Sequence, residues 1–270
     1  MHRSPNSIQG CFSRRKEEGR GVLIPYLTAG YPDAESSLEL MRTLAASGAD
    51  IIELGIPFSD PLADGPTIQR SSFKAIQGGM TVQGVLDLLR EFRKDHDLPV
   101  VLFTYLNPVL RYGMERFIES AVEAGAQGLL LTDLPTGADP NLENQIIASK
   151  LDLIRLLAPT TARERIRAVA EGGSGFLYYI SRTGVTGARQ ELRTDLGREV
   201  EAVRREVDLP IAVGFGISTP DQAFMVAGLS EGVVVGSALI DAMDKGGVEA
   251  AGAFLRGLRE GMDRSSPSAP

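Results

Sequence analysis

Eight short apolar runs recur along the chain, at residues 22–29, 50–56, 100–106, 128–134, 151–158, 175–180, 211–215 and 232–237, each bounded by Gly, Pro or Asp. Most are rich in Val, Ile and Leu without strict alternation, the pattern of parallel strands covered on both faces. Between them, apolar residues return at helical spacing. Residues 36–47 place Leu38, Met41 and Leu44 on one face, and residues 82–92 place Val85, Leu88, Leu89 and Phe92 together. Residues 166–170 and 199–207 behave alike, and residues 246–262 predict the last helix. Thr219-Pro220-Asp221 reads as a helix start, with a capping hydroxyl, a proline in the first turn and an acid beside the positive dipole end. Eight strand–helix units with no break in composition favour closure into one (β/α)₈ TIM barrel over an open doubly wound sheet. The expected domain is the whole of 1–270. Gly19-Arg20-Gly21 sets apart an N-terminal helical stub (1–19), an extra helix ahead of the barrel, and 264–270 is a Ser/Pro tail expected to be disordered.

Composition narrows the function classes. A net charge of −7 with 43% hydrophobic residues describes an ordinary globular protein and argues against nucleic acid or an anionic membrane as partner. Cys11 is the sole cysteine, so neither an intramolecular disulfide nor a cysteine metal cluster is expected. Residues 1–20 carry Arg3, Arg14, Arg15 and Lys16 but no apolar stretch typical of a secretory signal, and no run approaches the ~20 apolar residues of a membrane span. The expected location is the cytoplasm.

A barrel of this kind works at the C-terminal ends of its strands. His2 lies in the leader and His96 precedes the third strand, on the opposite rim, which disfavours a metal aldolase built on histidine. None of Lys16, Lys74, Lys94, Lys150 and Lys245 falls in a strand or just after one, which disfavours Schiff-base chemistry. Carboxylates remain. Glu53 sits mid-strand among apolar residues, and period-two alternation turns Ile51, Glu53 and Gly55 inward while Ile52, Leu54 and Ile56 face the helices. A buried carboxyl has raised proton affinity suited to proton transfer. Asp60 and Asp64 follow in a loop rich in Pro, Asp and Gly, where turn chemistry is an equal reading. Asp133 ends the fourth strand and reads first as a cap. Gly214-Phe215-Gly216-Ile217-Ser218 and Gly236-Ser237-Ala238 end the seventh and eighth strands, the usual phosphate site of such barrels. The Gly-rich segment 181–187 after the sixth strand suits a lid, whose Gly187 N–H closes on the same phosphate. Tyr26, Phe103, Tyr105, Tyr178 and Tyr179 fall where a flat apolar ligand would need rings.

Residues 53–69, Glu-Leu-Gly-Ile-Pro-Phe-Ser-Asp-Pro-Leu-Ala-Asp-Gly-Pro-Thr-Ile-Gln, resemble the signature of the tryptophan synthase alpha chain family. Pro25-Tyr26-Leu27-Thr28-Ala29-Gly30-Tyr31-Pro32, residues 181–187, 214–218 and Val235-Gly236-Ser237 extend the likeness in family order over nearly the whole chain. The resemblance implies a lyase that splits indole-3-glycerol phosphate into indole and glyceraldehyde 3-phosphate, with Glu53 as acid/base and Asp64 as second catalytic carboxylate. It implies an indole pocket of Tyr26, Phe103, Tyr178 and Phe215, a phosphate held by Gly187, Gly216, Gly236 and Ser237, and a substrate contact at Thr186. At Tyr26 and Phe103 other members carry different apolar residues. A pyridoxal-phosphate beta subunit would receive the indole across the loop around Asp60, in an α₂β₂ complex, and the alpha chain itself would need no cofactor. Another phosphate-binding barrel enzyme, or a barrel kept as an activating partner, stays open on sequence alone.

Overall fold

The apolar runs fold as strands β1 (Val22–Thr28), β2 (Ile52–Gly55), β3 (Val100–Thr104), β4 (Gly128–Leu131), β5 (Asp152–Leu153), β6 (Arg155–Leu157), β7 (Leu177–Ile180), β8 (Ile211–Gly214) and β9 (Gly232–Val235). The computed structural model describes residues 6–181, 189–214 and 216–264, with 189–194 described by backbone alone. Every strand pair is parallel, in one sheet of order β5-β4-β3-β2-β1-β9-β8-β7-β6. The two edge strands are the halves of the fifth apolar run. Asp152 and Leu153 pair with β4, the Ile154 N–H still reaches the Leu129 carbonyl at 2.9 Å, and from Arg155 onward the chain pairs with β7. One barrel position thus joins both edges, and eight positions complete the ring.

Helix α1 (Ile8–Glu17) precedes β1, and α2 (Ala34–Ala46), α3 (Pro66–Gln77), α4 (Val82–Phe92), α5 (Leu106–Tyr112), α6 (Met114–Glu123), α7 (Pro140–Ile147), α8 (Ile166–Ala170), α9 (Arg189–Arg204), α10 (Pro220–Ala227) and α11 (Ser237–Met262) follow strands. Their starts obey local chemistry. Asp33, Thr81 and Asp139 accept backbone N–H groups of α2, α4 and α7, and Thr219 and Gln222 form a reciprocal capping box on α10. The last helix differs from its prediction. It begins at Ser237, directly after β9, and breaks at Gly246 and Gly247, so the predicted 246–262 segment is only its second half. Two adjacent glycines, which weaken a helix by about 1 kcal/mol each, account for the kink.

Alternation along the strands sorts the core into two layers. Leu23, Leu27, Ile52, Leu54, Val100, Leu102, Leu129, Val213 and Val233 face outward against the helices. Val22, Ile24, Ile51, Val101, Leu130, Ile154, Phe176, Ala212 and Val234 fill the barrel, and Ile8, Cys11 and Phe12 of α1 plug its N-terminal mouth. Burying a side chain such as Ile8 or Phe12 is worth roughly 1.5–3 kcal/mol. The plug also carries charge. Asp50, 1% exposed, takes Arg15 Nε at 2.6 Å, Arg259 Nη1 at 3.3 Å and the Leu23 N–H at 2.9 Å. This end of the barrel is sealed, and its buried acid is fully paired.

Candidate active site

The opposite end holds a buried acid that is not paired. Glu53 lies on β2 between inward Ile51 and inward Gly55, as alternation predicts, while Ile52, Leu54 and Ile56 belong to the outer layer. Its carboxyl is 1% exposed, and Oε1 has no hydrogen-bond partner. Burial pushes its pKa up to about 8. Stripping water from a carboxylate penalises the charged form, and no cation among the described residues offsets it. Glu53 is therefore a carboxylic acid at neutral pH. Asp50 and Glu53 make the contrast plain: three residues apart on one chain segment, one acid is satisfied by two arginines and the other has no donor among the described residues.

Asp64 reaches the same space from the loop between β2 and α3. That loop is folded on itself, with the Asp64 N–H on the Pro61 carbonyl at 3.0 Å and Gln69 Nε2 on the Asp64 carbonyl at 2.9 Å. Burial raises the Asp64 pKa to about 6, opposed by a hydrogen bond from the Tyr105 hydroxyl. Tyr105 also accepts the Ala63 N–H at 3.0 Å and packs against Phe58, rings tilted at 37° with centroids 5.2 Å apart. It thus ties the Asp64 loop to the end of β3. The ring positions mark Tyr105, but neither composition nor spacing shows that its hydroxyl holds this loop. Asp60 is exposed and bonds to its neighbour Ser59 at 2.5 Å. Asp133 accepts the Leu106 N–H at 2.7 Å and so caps α5, a structural role as expected, but on a helix before β4 rather than on the segment after it.

Aromatic rings wall the space between the two carboxyls. Tyr26 stands opposite Glu53 in the β1–β2 register and meets Phe103 edge-on, centroids 5.2 Å apart at 74°. Its ring lies across Gly55, where an added Cβ would come within 2.3 Å of the hydroxyl. Tyr178 crosses Gly214 in the same way, again at 2.3 Å. Both glycines are needed for the close approach. The Tyr178 pKa is pushed well up by burial, then by the charges of Glu53 and Asp64 and by Tyr26, which brings all four groups to one place. Tyr179, its chain neighbour, points the other way into the outer layer, and its hydroxyl donates to Glu199 at 2.8 Å.

Of the expected phosphate residues, Gly216, Gly236 and Ser237 lie at the same rim. Gly236 precedes α11 with no side-chain cap, leaving the first turn of that helix open to an acceptor, and Ser237 is its first residue. Gly236 is 3.6–3.7 Å from Tyr26 and Ile68, measured from the place of a Cβ. Gly216 is exposed, with φ +73°. The start of α10 beyond it is less open, because Gln222 Oε1 takes the Ser218 and Thr219 N–H groups at 2.8 and 3.1 Å. Thr186, Gly187, Phe215, the 181–187 lid beyond Ser181 and the tail 265–270 lie outside the described residues. Among the described residues no group of three His, Cys, Asp or Glu is placed to hold a metal ion, and no helix is long and apolar enough to cross a membrane.

Comparison with known proteins bears on this geometry. Residues 12–259 match the family model described as tryptophan synthase alpha chain. The tryptophan synthase alpha chain of Acidiphilium cryptum is 48% identical over 88% of this chain and 87% of its own length. That of Citrifermentans bemidjiense is 46% identical over 96% and 98%. Among solved structures, tryptophan synthase subunit alpha from Legionella pneumophila superposes with a TM-score of 0.88 at 38% identity, covering 96% of this chain and 99% of that one.

Proposed function

Since this chain belongs to the tryptophan synthase alpha chain family, we propose that Glu53 and Asp64 carry the reaction of that family. The reaction is a lyase step: indole-3-glycerol phosphate is cleaved to indole and glyceraldehyde 3-phosphate, and the indole passes to a beta subunit. The observation that carries the residue assignment is the buried, unpartnered Glu53 carboxyl, a proton donor at neutral pH, facing Asp64 across a pocket of rings.

The bond between the indole ring and the glycerol chain breaks only after the ring becomes an electron sink. Glu53 donates its proton to the ring carbon bearing the side chain, and positive charge develops at the ring nitrogen. Asp64, ionised above about pH 6, balances that charge through the N–H. The Glu53 carboxylate then takes the proton of the neighbouring hydroxyl. That oxygen becomes the aldehyde of glyceraldehyde 3-phosphate, the carbon–carbon bond breaks, and its electron pair returns to the ring as indole. Glu53 ends protonated, as it began. Tyr26, Phe103, Tyr178 and Phe215 hold the indole. Backbone N–H groups at Gly187, Gly216, Gly236 and Ser237, with the Thr186 hydroxyl, hold the phosphate.

A pyridoxal-phosphate beta subunit in an α₂β₂ complex fits the loop around Asp60, whose Leu62 is 91% exposed and offers apolar surface beside the site. We place the complex in the cytoplasm and read 1–270 as one barrel domain. The test is cleavage of indole-3-glycerol phosphate by the purified chain. Glu53→Gln is expected to lose ~10²–10⁴-fold in kcat with its fold intact. Near-normal turnover in a folded Glu53→Gln chain refutes the assignment.

A further inference from the structure

The Tyr26 hydroxyl lies among acids, and the charges of Asp64 and Glu53 both act on it. A phenol in that position would ordinarily donate to a carboxylate. It is engaged elsewhere. Its oxygen is 3.2 Å from Thr28 Oγ1, Thr28 Oγ1 is 2.7 Å from Ser71 Oγ, and Ser71 Oγ donates to the Ile68 carbonyl at 2.9 Å. A carbonyl oxygen only accepts, so the far end sets the direction of the chain. The Ser71 proton goes to Ile68, so Ser71 accepts from Thr28 and Thr28 accepts from Tyr26. Each hydroxyl has one proton, and each is spent. Thr28 and Ser71 are 2% and 0% exposed, so bulk water does not compete for these bonds. The register stands Tyr26 beside Glu53, and its hydroxyl fills the space over Gly55 on the same inward face.

We propose that Thr28 and Ser71 are positioning residues that hold the Tyr26 O–H away from the catalytic carboxyls, so that Glu53 keeps its proton for the substrate. This rests on Glu53 being the catalytic acid. A free Tyr26 hydroxyl would donate to the Glu53 carboxylate, stabilise it and weaken the acid. Among the described residues, the titratable groups that face Glu53 are Tyr26 from β1, Asp64 from the loop after β2 and Tyr178 from β7, with Tyr105 beyond β3 acting through Asp64. Of these, Tyr26 alone has its proton set by a chain that begins on α3.

The test is the pH profile of kcat/KM for indole-3-glycerol phosphate, whose upper limb reports loss of the Glu53 proton in the free enzyme. Thr28→Val removes the acceptor and turns the Tyr26 proton toward Glu53. The upper limb is expected to move down by about one pH unit, the effect of one hydrogen bond to a charged group. Ser71→Ala does the same from the far end without touching β1, because Thr28 then donates to Tyr26 and displaces its proton. Thr28→Ser keeps the hydroxyl and is expected to leave the limb in place. Tyr26→Phe in the Thr28→Val background removes the released proton and is expected to return the limb, which a packing defect would not do. The proposal is overturned if the limb stays put in both Thr28→Val and Ser71→Ala, or stays displaced in the double variant. The two readings fail separately: turnover with an unchanged upper limb in Glu53→Gln removes Glu53 as the acid, whereas an inactive Glu53→Gln beside an unmoved Thr28→Val removes only the hydroxyl chain.

Discussion

Burying Glu53 costs stability, and the cost depends on pH in a way that isolates this one group. Its pKa is about 8 in the folded chain against an ordinary 4.5. Below 4.5 the carboxyl is protonated whether folded or not, and it contributes nothing. Between the two values the folded state holds a proton that the unfolded state releases, so stability falls as pH rises, by about 1.4 kcal/mol per pH unit. Above about 8 the loss is complete, at about 5 kcal/mol. Glu53→Gln keeps the shape and removes the titration. The buried amide carries a cost of its own, but that cost does not vary with pH and drops out of a comparison across pH. Relative to Glu53→Gln, the unaltered chain is therefore expected to lose about 3 kcal/mol between pH 5.5 and 8.5. Urea unfolding of both chains at half-unit steps across this range measures it. The substituted chain should be inactive yet increasingly the more stable of the two at alkaline pH, the trade of stability for function expected of a catalytic acid. A stability difference flat to within about 1 kcal/mol would mean that Glu53 is solvated or partnered in solution, and the acid role would fall with it.

The other carboxyl sets the opposite limb. Asp64 acts ionised with a pKa of about 6, so kcat/KM should rise with pH through that value and fall through about 8; because the substrate phosphate also titrates near 6, the assignment requires that Asp64→Asn abolish the Asp64 component of the lower limb. Tyr105→Phe removes the hydrogen bond that opposes the burial of Asp64, so the lower limb should move up in pH, and an unmoved limb would count against the contact. Gly214→Ala puts a methyl group 2.3 Å from the Tyr178 hydroxyl and should cost ~10²-fold in kcat/KM by displacing that ring; normal kinetics would show that the ring is not needed. Gly236→Val should raise KM for indole-3-glycerol phosphate ~10–100-fold, as loss of hydrogen bonds to a charged group would, while weakening free indole far less; equal losses for both ligands would take the phosphate away from this loop.

Much of the architecture is legible in the sequence because it rests on periodicity, which is local. The inward turn of Glu53 follows from counting alternate residues along 50–56, and the two core layers repeat that count in every strand. What escapes is what depends on partners distant in the chain. The fifth run reads as one strand, yet its two halves pair with different neighbours, because a closing strand must serve both edges of the sheet. The helix after β9 is hidden by Gly246 and Gly247, which suggest a start where the chain only bends. Tyr105 reads only as a ring at the end of a strand and Ser71 carries no signal; their roles emerge only when β3 meets the loop of Asp64 and α3 meets β1.

The placement of charge in the barrel follows one rule with two outcomes. A buried carboxylate is tolerated when donors surround it, and otherwise it holds a proton. At the plugged end, where α1 and α11 supply Arg15 and Arg259, Asp50 serves structure and has no vacancy for a ligand. At the open rim no cation among the described residues is supplied to Glu53, and the Tyr26 hydroxyl proton is drawn off through Thr28 and Ser71. Had an arginine stood near Glu53, the fold would be more stable and the acid would be lost to catalysis. The unmet hydrogen-bonding capacity at Oε1 is thus a condition of the reaction: a group that must give its proton to a ring carbon and then recover one from a hydroxyl cannot already be engaged with the protein.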